Sequence, residues 1–293
     1  LAVLALVVVN ALRGSPWGLF TIACTIPIAF LMGFWMKVWR PGRTIEASLG
    51  GVVLLLLALV GGQQVAASPT LAPLFTWSPL ALAFALVVYG FVASVLPVWM
   101  LLALRDYLST FMKIGTIFLL ALTILLVLPT LKLPPLTRFI DGTGPVFAGK
   151  LFPFAFITIA CGAISGFHAL VASGTTPKMV RQECDARLIG YGGMLMESFV
   201  AVMAMCAAAV LDPGLYFAIN VPLARLGGTA AAAADTIRAW GFVVTPEAIE
   251  QLARSMGETT LLGRTGGAPS LAVGMATLFG GAFGDHLLAL WYH

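Results

Sequence analysis

FPFAFITIACGAISGFHALVASGTTPK, residues 152–178, opens as a membrane span and then fills with Gly162, Ser165, Gly166, His168, Ser173, Gly174, Thr175 and Thr176 before Pro177 stops it. In hydrocarbon an unsatisfied polar or backbone group is costly, so such a run is tolerated only inside protein or along a cavity. The stretch reads as a broken helix beside a transport path. A competing reading assigns its hydroxyls to capping and turning the helix, which Gly174 and Pro177 suit.

The rest of the chain supplies the solvent for that helix. Hydrophobic residues make up 60% of the 293 and charged residues 10%, with a mean hydropathy of +1.01; soluble domains carry roughly a quarter charged residues. The fold class expected is all-α, a polytopic transmembrane helix bundle forming one membrane domain over residues 1–293. A truncated span ends near Leu12. Further spans are expected at 17–37, 49–65, 79–104, 114–131, 152–178, 189–211 and 268–291, eight in all. Trp17, Trp35 and Trp39 sit where interfacial aromatics belong, and Pro27 and Pro97 fall inside spans. Leu1 lies within the apolar run LAVLALVVVNAL with no charged n-region or cleavage site before it, so an internal piece of a longer protein is expected.

Loop charge sets the expected orientation. The loops after the second, fourth and sixth spans carry Lys37, Arg40, Arg43, Arg105, Lys113, Lys178, Arg181 and Arg187, eight cations. The short loops opposite carry Arg13, Lys132, Arg138 and Lys150, four, so the first set is read as cytoplasmic. Residues 212–267 form a long outer connection. Thr245 is placed as an N-cap with Pro246 after it, Ile249, Leu252 and Met256 form one stripe, and Gly257 ends the helix. A second helix is expected over 229–240, ended by Gly241. An extramembrane cap and a flexible connector bearing two short surface helices both fit.

Chemistry is sought among polar residues buried in apolar spans. Glu197, in GYGGMLMESFVAVMA, is costly as an ion there unless paired or wetted. Gly190 and Gly193 share its helical face and would admit a close neighbour. A carboxylate so placed suits a proton carrier, because burial raises its pKa; a structural partner for an arginine or amide is the alternative. An imidazole can change charge near neutrality, so His168 could relay a proton or bind a substrate carboxylate, or serve as a satisfied buried polar group. Ser165, Ser173, Thr175 and Thr176 add hydroxyls and, where the helix unwinds, free backbone groups for ion sites. RDYLSTFMK, residues 105–113, reads as a positive connector or, with Asp106 and Thr110 four apart, as an amphipathic cytoplasmic helix or gate. Asp285 and His286 follow GGAFG in the last span.

Other classes are poorly served. Cys24, Cys161, Cys184 and Cys206 lack metal-ligand or paired spacing, so no zinc, disulfide framework or cofactor is indicated. No HExxH or GxSxG occurs, which argues against a membrane enzyme. The net charge of +4 is accounted for by the loops, and no nucleic-acid partner is implied. A channel also suits a wetted polar helix, and a nutrient-sensing protein would need a signalling domain.

The segments RDYLSTFMKIGTI (105–117), DGTGPVFAGKLFPFAFITIACGAISGFHALVASGTTPKM (141–179), IGYGGMLMESFVAVMA (189–204) and GGAPSLAVGMA (266–276) resemble the carbon starvation protein CstA family over essentially the whole chain. The resemblance implies a bacterial inner-membrane, multi-pass secondary transporter taking up peptides during carbon starvation, or pyruvate with protons in relatives of the BtsT type. It further implies grouping with the amino acid-polyamine-organocation superfamily, whose LeuT-like members carry two inverted five-helix repeats with discontinuous helices. The expected partners are peptides or pyruvate, a coupling proton with sodium left open, and the lipid bilayer. Full-length members have further spans on both sides, so half of a central site is expected outside this sequence. The family-like residues within it are His168, Ser173, Thr175, Thr176, Lys178 and Glu197, whereas Asp285 and His286 match more loosely.

Overall fold

The first long helix starts where Ser15 and Pro16 require it to. The Ser15 hydroxyl accepts from the Gly18 amide at 3.3 Å and Pro16 occupies a first-turn position that needs no N–H. A computed structural model of the chain describes residues 2–40, 42–96, 102–164, 169, 172–174, 176–180 and 182–293. These form helices α1 (Ala2–Leu12), α2 (Pro16–Phe34), α3 (Thr44–Ala67), α4 (Pro79–Val95), α5 (Leu102–Val127) and α6 (Leu151–Ile164). Beyond them come α7 (Asp185–Ala209), α8 (Pro213–Asn220), α9 (Ala230–Ala239), α10 (Pro246–Ser255), α11 (Ala268–Phe283) and α12 (Leu288–Tyr292). No strand occurs among the described residues.

Among the described residues four helical stretches are long and apolar enough to cross a membrane: Pro16–Trp39, Thr44–Ala67, Leu104–Val127 and Asp185–Ala209. They correspond to the second, third, fifth and seventh expected spans. The fourth, sixth and eighth contain shorter apolar helices, Pro79–Val95, Leu151–Ala160 and Ala268–Phe283. Exposed leucines, phenylalanines and methionines cover much of these helices. That outward face suits a hydrocarbon solvent, which gives no drive to bury it.

Three boundaries differ from the sequence reading. Helix α4 stops at Leu96 rather than running to 104, because the residue before Pro97 is pushed out of the helical region. Of the two readings of residues 105–113 the helix is the one found, as the opening turns of α5, but it continues into the fifth span without a break to Val127 rather than standing before a start at 114. The span expected at 268–291 breaks at Gly284, where φ is +107°. Helix α12 then packs back on α11, with Trp291 against Phe279 (5.0 Å between ring centroids) and Phe283 (5.9 Å).

Helices α2, α3 and α5 share a core of Ile28, Met32, Leu55, Ala58 and Leu108, and the Trp17 indole N–H donates to the Leu59 carbonyl at 2.8 Å. Residues 212–267 fold as a packed unit. Thr245 accepts from the Ala248 amide at 3.2 Å, giving α10 the expected cap, and Thr229, the first residue of the other expected helix, caps α9 by accepting from Ala232 at 3.2 Å. Phe217, Val221, Leu226, Ala233, Ile237 and Ile249 are buried between them. Phe139 rides on this unit beside Phe217 and Trp240.

Helices α7 and α11 meet at bare backbone. A Cβ on Gly274 would lie 2.6 Å from the Ala207 carbonyl carbon and overlap its oxygen. Gly274→Ala is therefore expected to force the helices apart. The helix-propensity gain of about 1 kcal/mol is outweighed by overpacking of about 3 kcal/mol, since backbone cannot rotate away. Thermal unfolding of the full-length protein in detergent checks this, with Gly281→Ala as control, whose Cβ would meet only Val127 Cγ1 at 3.8 Å.

Candidate functional site

The polar interruption is only partly described. Ser165, His168 and Thr175 lie outside the described residues. Ser173 is exposed, and its hydroxyl donates to the Ala169 carbonyl at 2.8 Å, the back-bond of a helical serine. Thr176 is half-buried and opens the single turn Thr176–Met179, whose carbonyl accepts from the Val180 amide at 3.2 Å. Of Cys24, Cys184 and Cys206, none is in a disulfide. Among the described residues no cluster of His, Cys, Asp or Glu could hold a metal.

Glu197 projects from α7, a helix of 25 residues with mean hydropathy 1.6 over its most apolar stretch. The close-packed face expected around it is not present among the described residues. A Cβ on Gly190 or Gly193 would meet nothing within 4 Å, and both glycines are exposed with Glu197. The close approach on α7 lies further along, at Ala207, where Gly274 receives it. Small residues permit contact from either side, so a Gly-x-x-Gly pattern on one helix does not say which helix supplies the gap.

Two arrangements were not legible in the sequence. The first is a buried ion pair. Arg264 and Glu258 sit 2.7 Å apart with side chains only 6% and 2% exposed. The Arg264 guanidinium also reaches the Ala11 and Arg13 carbonyls, both at 3.4 Å, and the Tyr292 hydroxyl at 3.2 Å. It thus supplies donors to carbonyls at the end of α1 that lack intrahelical partners. The second carboxylate oxygen of Glu258 faces His293 Nε2 at 3.7 Å, too long for a hydrogen bond. The His293 ring stacks on Trp17 at 4.3 Å.

The second is a cleft between α2, α3 and α5, a cavity of about 200 Å³ lined by Thr21, Thr25, Leu55, Leu59, Arg105, Leu108, Ser109, Met112 and His293. Arg105 Nε donates to Thr25 Oγ1 at 3.1 Å, and its guanidinium carbon lies 4.9 Å from the centre of the Tyr89 ring. A signal existed: Leu104, Leu108 and Met112 continue one helical face through the charged RDYLST stretch. Position next to a charge cluster made a loop the simpler reading.

A family model described as carbon starvation protein CstA matches residues 1–293. The chain is 58% identical over 299 residues to the protein named peptide transporter CstA of Escherichia coli strain K12, a match covering 100% of this chain and 43% of that protein. It is 54% identical over 290 residues to the peptide transporter CstA of Helicobacter pylori strain 26695, covering 99% of this chain and 42% of that one. The pyruvate/proton symporter BtsT of Escherichia coli strain K12 is 51% identical over 315 residues, covering 100% of this chain and 44% of the relative. The chain thus spans less than half the length of these curated relatives. These relatives carry the names of transporters, not of enzymes. No solved structure matches it significantly.

Proposed function

Since the chain belongs to the carbon starvation protein CstA family, we propose that it is part of a secondary active transporter taking up peptides across a bacterial inner membrane during carbon starvation, coupled to protons. The observation that carries this reading is identity of 54–58% along nearly the whole chain to proteins named as peptide transporters. Uptake of pyruvate with a proton is the second reading, supported by the 51% identity to a protein so named.

In mechanism, the polar stretch 152–178 binds a substrate carboxylate or the coupling ion near the midplane through Ser165, His168, Ser173, Thr175 and Thr176. Glu197 takes up and releases the proton. Access alternates by rocking of one inverted, LeuT-like repeat against the other. Residues 212–267 cap the bundle outside the membrane, a role their caps and buried core suit.

Counterflow into proteoliposomes of the full-length protein, with labelled dipeptides and labelled pyruvate, tests the reading. Exchange of dipeptides alone supports the first assignment, exchange of pyruvate alone the second, and exchange of neither removes the transport reading. Uphill accumulation separates a carrier from a channel. For His168→Ala, a rise of about tenfold in substrate KM is expected, the worth of one hydrogen bond to a charged group. Unaltered KM would assign His168 to packing.

A further inference from the structure

We propose that the Arg105 cleft is the subsite that takes the carboxylate of the transported molecule, on a short apolar stem. This deepens the transport reading and rests on it, and of the two tasks given there to the polar stretch 152–178 it leaves that stretch the coupling ion. Thr25 lies near the middle of the 24-residue apolar stretch Pro16–Trp39, and Arg105 Nε bonds it there. Arg105 itself opens the apolar stretch Leu104–Val127, and its side chain reaches from that end to a residue well inside the neighbouring one. A charge so placed is costly and marks a substrate or ion path unless it is paired.

Among the described residues Arg105 has no carboxylate partner, and its terminal nitrogens Nη1 and Nη2 make no hydrogen bond. Its orientation is nevertheless fixed. Thr25 holds Nε and the Tyr89 ring backs the guanidinium face, leaving the terminal nitrogens as a fork suited to two parallel bonds with a carboxylate. The nearby hydroxyls do not compete for that role. Thr21 donates to the Trp17 carbonyl, Thr25 to that of Ile22 and Ser109 to that of Asp106. Arg105 supplies the charge and the free donors, while Leu55, Leu59, Leu108 and Met112 supply an apolar wall.

Size narrows the ligand. Pockets for drug-sized ligands are roughly 300–1,000 Å³, and the cleft is about 200 Å³. It admits a small 2-oxo acid whole, or the C-terminal residue of a short peptide. Both offer the same chemistry to Arg105.

The test uses purified full-length protein in detergent, titrated calorimetrically with pyruvate, dialanine and dialanine amide. Wild type is expected to bind a free carboxylate at least tenfold more tightly than the amide. Arg105→Gln should weaken pyruvate and dialanine about a hundredfold, the loss of two charge-assisted bonds, and erase the preference over the amide. Arg105→Lys, which keeps the charge but not the fork, should lose about tenfold, and it serves if the glutamine variant does not fold. Binding of pyruvate without dialanine identifies the 2-oxo acid, and the reverse identifies the peptide. Wild-type affinity in either Arg105 variant overturns the assignment. Counterflow by wild type alongside that result leaves transport standing and removes only this subsite, whereas absence of both counterflow and binding in wild type removes the transport reading.

Discussion

Arg264→Met is expected to destabilise the folded chain by about 3–5 kcal/mol, the cost of leaving a buried charge without its partner. Methionine replaces the stem but not the guanidinium. Glu258, its side chain 2% exposed, would keep a carboxylate whose other oxygen has no hydrogen-bond partner among the described residues. The Ala11 and Arg13 carbonyls would lose their donor in the same step. Asp235 and Arg238 make an instructive contrast at 3.0 Å, because their side chains are 75% and 59% exposed. Solvent screens such a pair, and Arg238→Met should cost no more than about 1 kcal/mol. Unfolding of the full-length protein in detergent reads both variants. Adding Glu258→Gln to Arg264→Met should recover part of the loss, since a neutral amide is easier to bury. A single Arg264→Met variant within about 1 kcal/mol of wild type would show that the pair holds nothing together.

That pair also shows where sequence reasoning stops. Composition and period exposed the helical membrane class, because an apolar run of span length has few other solutions. Helix ends were legible for the same local reason: Thr245 with Pro246 states the start of α10, and Gly241 and Gly257 state where α9 and α10 stop. Arg264 and Glu258 looked like ordinary loop charges, since the carbonyls that bury them come from Ala11 and Arg13 at the other end of the chain. The helical setting of Arg105 had a signal in Leu104, Leu108 and Met112, but its partner Thr25 lies 80 positions away and had none. The break at Gly284 could have been noticed in GGAFGDH, but an apolar flank on both sides favoured continuation. Among glycines, local pattern pointed to Gly190 and Gly193, whereas the tight contact falls on Gly274 because only the partner backbone decides. Of the site proposed in the polar stretch, the described residues give the back-bonded Ser173, the half-buried Thr176 and the exposed Glu197.

Glu197→Gln is expected to abolish accumulation driven by a pH gradient while leaving substrate exchange intact. Glutamine keeps the volume and hydrogen-bonding reach of the carboxyl but cannot take up and release a proton. With one proton per substrate, each pH unit across the membrane supports about a tenfold concentration ratio, because 1.4 kcal/mol is a factor of ten. The variant should fall to a ratio near one. Exchange, which needs only binding and reorientation, should proceed within a few fold of wild type. The position gives the prediction its force, because α7 is long and apolar enough to cross a membrane and an ionised carboxylate within such a span is costly in hydrocarbon. A neutral glutamine should therefore fold at least as well, and lost accumulation would not be a folding defect. Proteoliposomes with a one-unit inward proton gradient and labelled substrate measure both quantities together. Undiminished accumulation in a well-expressed Glu197→Gln variant would move the proton to another group, with His168 next to be tested. Loss of exchange as well would instead make Glu197 a residue that binds or shapes the substrate path, and the coupling role would lapse.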